Sequence, residues 1–377
     1  MQKAGLHILI YSDHFYPSLG GSENYALDLA IELNRQGHSV GVITAEKESV
    51  ADSFSFKIFR LLKPFSPHRI NLNFIEVPRI IKQFRPDIIH INYQTGGENL
   101  LIPLLKIMKI PFIITYHADH VVTLGRMIDE LQLISAFRCA SMIMVQSERD
   151  KIKFKMRGIP EERLRLIRFN GIDAEKYKSV CMGAFDNNRI KLLCIARLDD
   201  SHKYKGVQEL IHSMRELVEL ELPFKLSLTI IGDGNRRKFY EDECKASQLN
   251  NVKFMGDVNF KDLLGQLCDA NFLILPSISK AEGFGRVALE ALSYGTPVIV
   301  SKYAGIAELI TRYDAGIVYD PFKFRTLVDN LLSISENPQK LQKFVDCGKK
   351  LILEEGLYLS ETTKETVKTY YKCLRNK

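Results

Sequence analysis

Short apolar runs alternate with amphipathic segments of helical length along the whole chain. In the first half the runs are Ile8–Tyr11, Val40–Thr44, Ile88–Ile91, Phe112–Tyr116 and Met142–Val145, and Leu164–Ile167 closes the series. In the second half they are Leu192–Ala196, Leu226–Ile231, Val252–Phe254, Phe272–Leu275, Val298–Val300 and Gly316–Tyr319. Apolar runs separated by helical patterns predict parallel strands buried on both faces by helices. The alternation restarts after Asn170-Gly171-Ile172-Asp173, so the pattern predicts an α/β chain of two domains, 1–172 and 173–359, with the hinge at this tetrapeptide. From Asn337 the chain reads as amphipathic helix.

Two apolar regions could suggest other uses. Leu6 to Tyr11 is cut short by Asp13, His14 and Pro17 and reads as a first strand, not a signal peptide. Leu100 to Tyr116 is broken by Lys106, Lys109 and two prolines. A membrane span needs about 20 apolar residues, so a buried helix followed by a strand is predicted here.

The chemistry concentrates between Phe272 and Ile310. A strand ending at Leu275 runs into a loop with Glu282-Gly283-Phe284-Gly285, then a short helix stopped by Gly295 and Pro297, then a second strand. This is a βαβ unit, with a right-handed crossover expected. Gly283 and Gly285 flank the helix start, where unpaired backbone N–H groups suit an anion or sugar hydroxyls. Glu282 and Glu290 stand eight positions apart (290 − 282), one on the loop and one in the helix. Glu290 lies among Leu289, Ala291 and Leu292, so burial would demand a cationic or hydroxylic partner. A wet helix face for Glu290 and an ordinary loop acid at Glu282 is the plainer alternative.

Other candidates sit at the ends of predicted strands, where open α/β sheets place ligands. Gly20 and Gly21 precede a helix and offer free N–H groups, as any tight Gly-Gly turn also would. His117 follows the fourth run, with Asp119 and His120 beyond it, and suits either a structural hydrogen bond or a functional one. Arg197 leaves the strand at Leu192–Ala196, and Lys205-Gly206 opens the next helix, with Lys203 a competitor. Cations at these places would meet a diphosphate, although surface charge is an equal reading. Gly232-Asp233-Gly234 and Gly256-Asp257-Val258 follow the next two strands.

Composition narrows the classes. The chain has 377 residues, long enough for two cores, and its 46% hydrophobic content is ordinary for a folded protein. Its seven cysteines are scattered without Cys-x-x-Cys or metal-ligand spacing, and read as reduced thiols of a cytosolic protein. The net charge of +7 gathers at Arg149, Lys151, Lys153, Lys155 and Arg157, followed by Arg163, Arg165 and Arg168. A solvated helix face explains this segment, and peripheral contact with an anionic membrane is the sharper alternative. No nucleic-acid-binding module is present. Asp199-Asp200 and Glu241-Asp242-Glu243 read as solvated acids, so no metal site is expected.

Glu282-Gly283-Phe284-Gly285, Glu290-Ala291-Leu292 and Gly295-Thr296-Pro297-Val298 together resemble the signature block of retaining nucleotide-sugar glycosyltransferases of the GT-B fold, family 4. Pro17-x-x-Gly20-Gly21-x-Glu23 is similar to that family's first loop. The resemblance implies two Rossmann-like domains facing across a cleft, with the last helix, from about Ser360, returning to the N-terminal domain. It implies catalytic roles for His117, Arg197, Lys205 and Glu282, with Glu282 and the backbone of Gly283, Phe284 and Gly285 meeting the donor sugar. Glu290 would take the ribose hydroxyls, Gly20 and Gly21 would lie beside the donor phosphates, and Gly232 and Asp257 would line the nucleotide. Where many relatives have a Gly-Gly pair before a Glu, Ser301 to Glu308 keeps only Gly305.

The activity so implied is hexosyl transfer from a UDP- or GDP-linked sugar to a sugar, glycolipid or other hydroxyl acceptor. It would proceed with retention, without metal or separate cofactor, in polysaccharide or glycolipid synthesis of the cell envelope. A sugar-nucleotide epimerase of the same fold and a non-catalytic nucleotide-sugar binding protein are the rivals. The expected location is cytoplasmic, with peripheral membrane contact as an added option.

Overall fold

The computed structural model describes residues 5–17, 20–47, 54–61, 73–93, 101–117, 134–176 and 188–375. The chain divides into two compact units, Met1–Gly171 with Leu359–Lys377, and Ile172–Tyr358.

The first unit is built on a seven-stranded sheet in the order β3-β2-β1-β4-β5-β6-β7. Its strands are β1 (His7–Tyr11), β2 (Ser39–Thr44), β3 (Lys57–Arg60), β4 (Ile88–Tyr93), β5 (Phe112–Tyr116), β6 (Met142–Val145) and β7 (Leu164–Leu166), all parallel. Both faces are covered. Leu9, Tyr11, Ile89, Ile91 and Ile114 join one apolar cluster, and their neighbours Ile8, Ile10, Ile88 and Ile113 join the other. That is a strand's two-residue period with no solvated side, which explains why the runs are continuously apolar. Strand β3 escapes the pattern because Lys57-Ile58-Phe59-Arg60 sits at the sheet edge, half-buried, and among the described residues pairs only with β2.

The second unit repeats the plan with six parallel strands in the order β10-β9-β8-β11-β12-β13. These are β8 (Arg189–Ile195), β9 (Lys225–Ile231), β10 (Val252–Gly256), β11 (Phe272–Leu275), β12 (Val298–Ser301) and β13 (Gly316–Tyr319). The helix Val207–Val218 shows how the intervening segments fold: Val207, Leu210, Ile211, Met214 and Leu217 form its buried stripe at helical spacing. Each such side chain contributes about 1.5–3 kcal/mol by leaving water.

In both sheets the chain starts in the middle, winds to one edge and returns to the other side of its first strand. The reversal falls between β1 and β4 in one unit and between β8 and β11 in the other. Ligand sites of open α/β sheets lie at the carboxyl ends of strands at such reversals. The C-terminal helix Leu359–Arg375 packs on the helix Gly21–Arg35 of the first unit. Its Tyr370 is fully buried and hydrogen-bonds His90 Nδ1 in β4 at 2.6 Å.

Cys139, Cys194, Cys244, Cys347 and Cys373 are free thiols. Cys268 is disulfide-bonded, so the expectation of reduced thiols throughout does not hold, and the cysteines no longer argue for a reducing compartment. Among the described residues no helix is long and apolar enough to cross a membrane.

Candidate functional site

In the second unit, β8 hands over to Ala196-Arg197-Leu198, and backbone bonds lock this exit to the loop after β9. Ala196 N–H donates to Ile231 O at 3.0 Å, Leu198 N–H to Asp233 O at 2.8 Å, and Arg236 N–H to Leu198 O at 2.8 Å. Gly232 permits the close approach: its φ is +127°, and a Cβ there would lie 2.0 Å from Ala196 O. Gly232 N–H also donates to Gly256 O at 2.9 Å, joining the carboxyl end of β10 to the same corner. Arg197 and Asp257 are both exposed at these strand ends.

After Arg197 the chain forms a short 3-10 helix, Asp200–Lys205, ending at Gly206 in the left-handed region with φ 72°. A Cβ at Gly206 would sit 2.0 Å from Pro276 O, and Ile278 N–H donates to Tyr204 O at 2.9 Å. This turn is therefore pressed against the exit of β11. The contact carries Lys205 Nζ to 2.8 and 3.1 Å from the two carboxylate oxygens of Glu282. Ser277, fully buried, donates its hydroxyl to Glu282 Oε2 at 2.7 Å. Glu282 is only 5% exposed, and a buried carboxylate needs such partners. Burial alone would lower Lys205, but the Glu282 charge and hydrogen bond outweigh it, so the lysine is held above its usual value. Cys194, buried at the end of β8, is pushed up to about 12, by desolvation first and by the Glu282 carboxylate against the opposing pull of Lys205.

The competing cation takes no part in this pair. Lys203 is exposed and pairs with Asp200 at 3.1 Å. Nor is Asp199 merely a solvated acid, as the sequence suggested. Its Oδ1 accepts from Ser201 N–H at 3.1 Å, Ser201 Oγ at 2.6 Å and His202 Nδ1 at 2.6 Å. Burial would raise Asp199, but these bonds and the nearby charges of His202 and Arg197 hold it below the usual carboxylate range. Glu243, in the other acidic run, likewise pairs with His212 at 2.6 Å.

Beyond Glu282 the loop is shaped by its backbone. Gly305 N–H donates to Gly283 O and Ile306 N–H to Phe284 O, each at 2.8 Å. Phe284 is buried in the apolar core, and Gly285 turns the chain at φ 88° into the helix Arg286–Tyr294. A Cβ at Gly305 would come within 2.6 Å of Gly283 O. The single retained glycine of Ser301 to Glu308 is thus the one the loop leans on. Glu290 has the cationic partner its apolar neighbours demanded: Arg286 Nε donates to Glu290 Oε1 at 3.0 Å, one helical turn away.

The first unit builds a polar cluster at its own reversal point. Asn92, buried at the end of β4, donates to Ser12 Oγ at 2.9 Å and to Ser22 O at 3.1 Å. Its Oδ1 accepts from His117 Nε2. The His117 ring stands edge-on to Tyr25 and Phe169, with centroids 5.2 and 5.1 Å away. Gly20 caps the helix Gly21–Arg35, and the Glu23 carboxylate folds back over it: a Cβ at Gly20 would lie 2.3 Å from Glu23 Oε2. Asp119 and His120 fall outside the described residues. Sequence reading assigned no role to Asn92, Ser12 or Ser277. A polar asparagine near the carboxyl end of the strand Ile88–Tyr93 was the available signal.

Most of the basic segment is engaged within its own unit. Lys151 and Lys155 share Glu161 at 3.1 and 2.6 Å, and Arg163 donates to Arg138 O at 2.8 Å. Lys153 Nζ donates to Tyr116 OH at 2.8 Å, and burial pulls it down to about 8, with Arg157 adding to the shift. Among the described residues no cluster of three or more His, Cys, Asp or Glu could hold a metal ion.

Comparison with known proteins identifies the family and the fold. Residues 182–351 match the family model described as glycosyl transferases group 1, and residues 19–176 match that of glycosyltransferase family 4. An uncharacterised glycosyltransferase of Methanocaldococcus jannaschii is 26% identical over 93% of this chain and 94% of its own length. The alpha-monoglucosyldiacylglycerol synthase of Streptococcus pneumoniae is 25% identical over 83% of this chain and 75% of its own. The fold is matched by the crystal structure of Anabaena HepE in complex with UDP-glucose, with a TM-score of 0.75 and 18% identity over 97% of this chain and 99% of that one.

Proposed function

Since the chain belongs to the group 1, family 4 glycosyltransferases of GT-B fold, we propose that it moves a hexosyl group from a nucleoside-diphosphate sugar to an acceptor hydroxyl, with retention and without a metal ion. The observation that carries this reading is the Lys205–Glu282–Ser277 cluster at the reversal point of the second sheet, beside the helix start at Gly285.

Each part has a role that its chemistry suits. Departure of the nucleoside diphosphate builds negative charge on phosphate oxygens, and fixed cations and backbone N–H groups stabilise such charge by several kcal/mol where water is excluded. Arg197 supplies a guanidinium fork, Lys205 a point charge, and Gly283 to Gly285 free amides. Glu282 has Oε2 engaged by both Ser277 and Lys205, while Oε1 receives only the longer Lys205 contact, so Oε1 is the atom best placed to accept from a sugar hydroxyl. Glu290 is assigned to the ribose hydroxyls, and Gly232 and Asp257 to the nucleotide's far end. His117, Gly20 and Gly21 are assigned from the first unit.

UDP-glucose is the first donor to test, because HepE holds it in a similar fold. A lipid acceptor is favoured by the name of the Streptococcus relative and by exposed apolar side chains on the basic helix Glu148–Met156, where Ile152 is 55% and Met156 83% exposed. The test is release of nucleoside diphosphate from a panel of UDP- and GDP-sugars, with and without diacylglycerol-type and sugar acceptors, and the anomeric configuration of the product by NMR. Conversion of the sugar without any acceptor would favour the epimerase. Binding with no diphosphate released from any donor would leave only the binding protein. Flotation with anionic liposomes tests the membrane contact, and indifference to anionic lipid removes it.

A further inference from the structure

Eight positions separate Arg197 from Lys205 (205 − 197), and the interval contains a second cation, Lys203, that could have been presented in place of Lys205. We propose that Asp199, His202 and Tyr204 form a positioning stack that holds the Lys205 ammonium on Glu282. This inference rests on the reading of Lys205 as a donor-phosphate ligand.

The stack is continuous. Asp199 Oδ1 fixes the imidazole through Nδ1 at 2.6 Å, at the point where the 3-10 helix is kinked, with His202 at φ −110° and ψ 18°. The imidazole then lies against Tyr204, with ring centroids 5.6 Å apart and the planes 38° from parallel. The Tyr204 ring in turn underlies Lys205 Nζ at 5.4 Å from its centroid. Lys205 completes the series on Glu282. Each contact is modest by itself, the attraction of an aromatic face for an ammonium included. Their effect is geometric. A lysine has a flexible four-carbon stem and no fork of its own, so an aromatic floor on one side and a carboxylate on the other decide where its charge sits. His202 Nδ1–H donates to Asp199 whether the ring is neutral or charged, so the stack does not depend on protonation of the imidazole.

The stack is tested by the reactivity of Lys205 rather than by turnover alone. The full chain is pulse-labelled with acetic anhydride and the Lys205 peptide is quantified by mass spectrometry. His202→Ala removes the pad but leaves both Ser201 bonds to Asp199, so the turn persists, and Lys205 labelling is expected to rise about threefold or more. Asp199→Ala frees the imidazole and also removes the two Ser201 bonds that cap the turn, so its labelling is expected to rise at least as far as in His202→Ala, and the double variant is expected to match Asp199→Ala and not the product of the singles. Asp199→Asn keeps the acceptor oxygen and Tyr204→Phe keeps the ring, and both are expected to label as the parent does. Unchanged labelling in His202→Ala, or additive effects in the double variant, would overturn the proposal. In parallel, His202→Ala is expected to lower donor kcat/KM in nucleoside-diphosphate release, with Asp199→Asn restored to the parent level. If labelling follows the expected pattern while the parent protein releases no diphosphate from any donor, the stack stands and the transferase reading fails.

Discussion

Lys205 and Glu282 meet across the reversal point of the second sheet, with the ammonium 2.8 Å from one carboxylate oxygen and 3.1 Å from the other, although 77 positions separate them in the chain. The side chains are 20% and 6% exposed, so this is a largely desolvated pair. Removing one partner leaves the other buried and uncompensated.

Lys205→Met is therefore expected to cost about 3 kcal/mol of stability in urea unfolding, and Lys205→Met with Glu282→Gln to cost less than the two singles summed. Both singles should lower diphosphate release by more than about 100-fold. The pair has a defined pH range. Lys205 is held above its usual 10.5, so its contribution is complete at neutral pH and is lost only as pH rises beyond that value.

Ser277→Ala removes a fully buried hydroxyl from a carboxylate. A hydrogen bond to a charged group is worth about 1.5–3 kcal/mol, and the loss should appear in kcat, because Glu282 would no longer be fixed in one rotamer. An unchanged kcat would show that Lys205 alone orients the acid.

Gly305→Ala pushes a methyl group to within 2.6 Å of Gly283 O, so the clasp on the Glu282 loop must open. Overpacking of this kind costs about 1–3 kcal/mol. The expected signature is a raised donor KM, read beside the nucleoside-diphosphate affinity from calorimetry.

His90 is buried between Tyr370 OH and Thr115 Oγ1, both at 2.6 Å, and burial pulls it from the usual 6.5 down to about 3. A base with a depressed value stabilises the fold fully above the unfolded pKa, and the contribution is lost as pH falls towards the folded one. Protection of β4 and β5 amides from hydrogen exchange should decline between pH 6.5 and about 3, by up to about 1.4 kcal/mol per pH unit. His90→Gln should flatten that decline.

If Arg197, Lys205 and the loop amides carry the diphosphate charge as proposed, activity in the presence of a chelator such as EDTA is expected to equal activity without it. Loss of diphosphate release on chelation, restored by Mg²⁺ or Mn²⁺, would refute metal independence.

The strands were legible in the chain because a strand buried on both faces is written as an unbroken apolar run, and a run such as Phe272–Leu275 needs no partner to be recognised. The edge strand Lys57–Arg60 was not, because it is four residues long, begins and ends in a charged residue and has no fully buried position, so it presents no continuous apolar run. The turn at Gly285 and the stop at Gly295 were also readable, since local backbone rules act within a few residues. Contacts between distant segments leave no such trace. The choice of Lys205 over Lys203 came from the close approach of Gly206 to Pro276, whereas Arg286, four positions before Glu290 on one helix face, was within reach of sequence reading. The employment of Asp199 by His202 depends on a kink that no propensity encodes. Periodicity and glycine placement thus determined the elements and their order, because both act along the chain. That Lys205 meets Glu282 was decided only when strand ends far apart in sequence were brought to one edge of a sheet, where desolvation makes a buried charge find a partner.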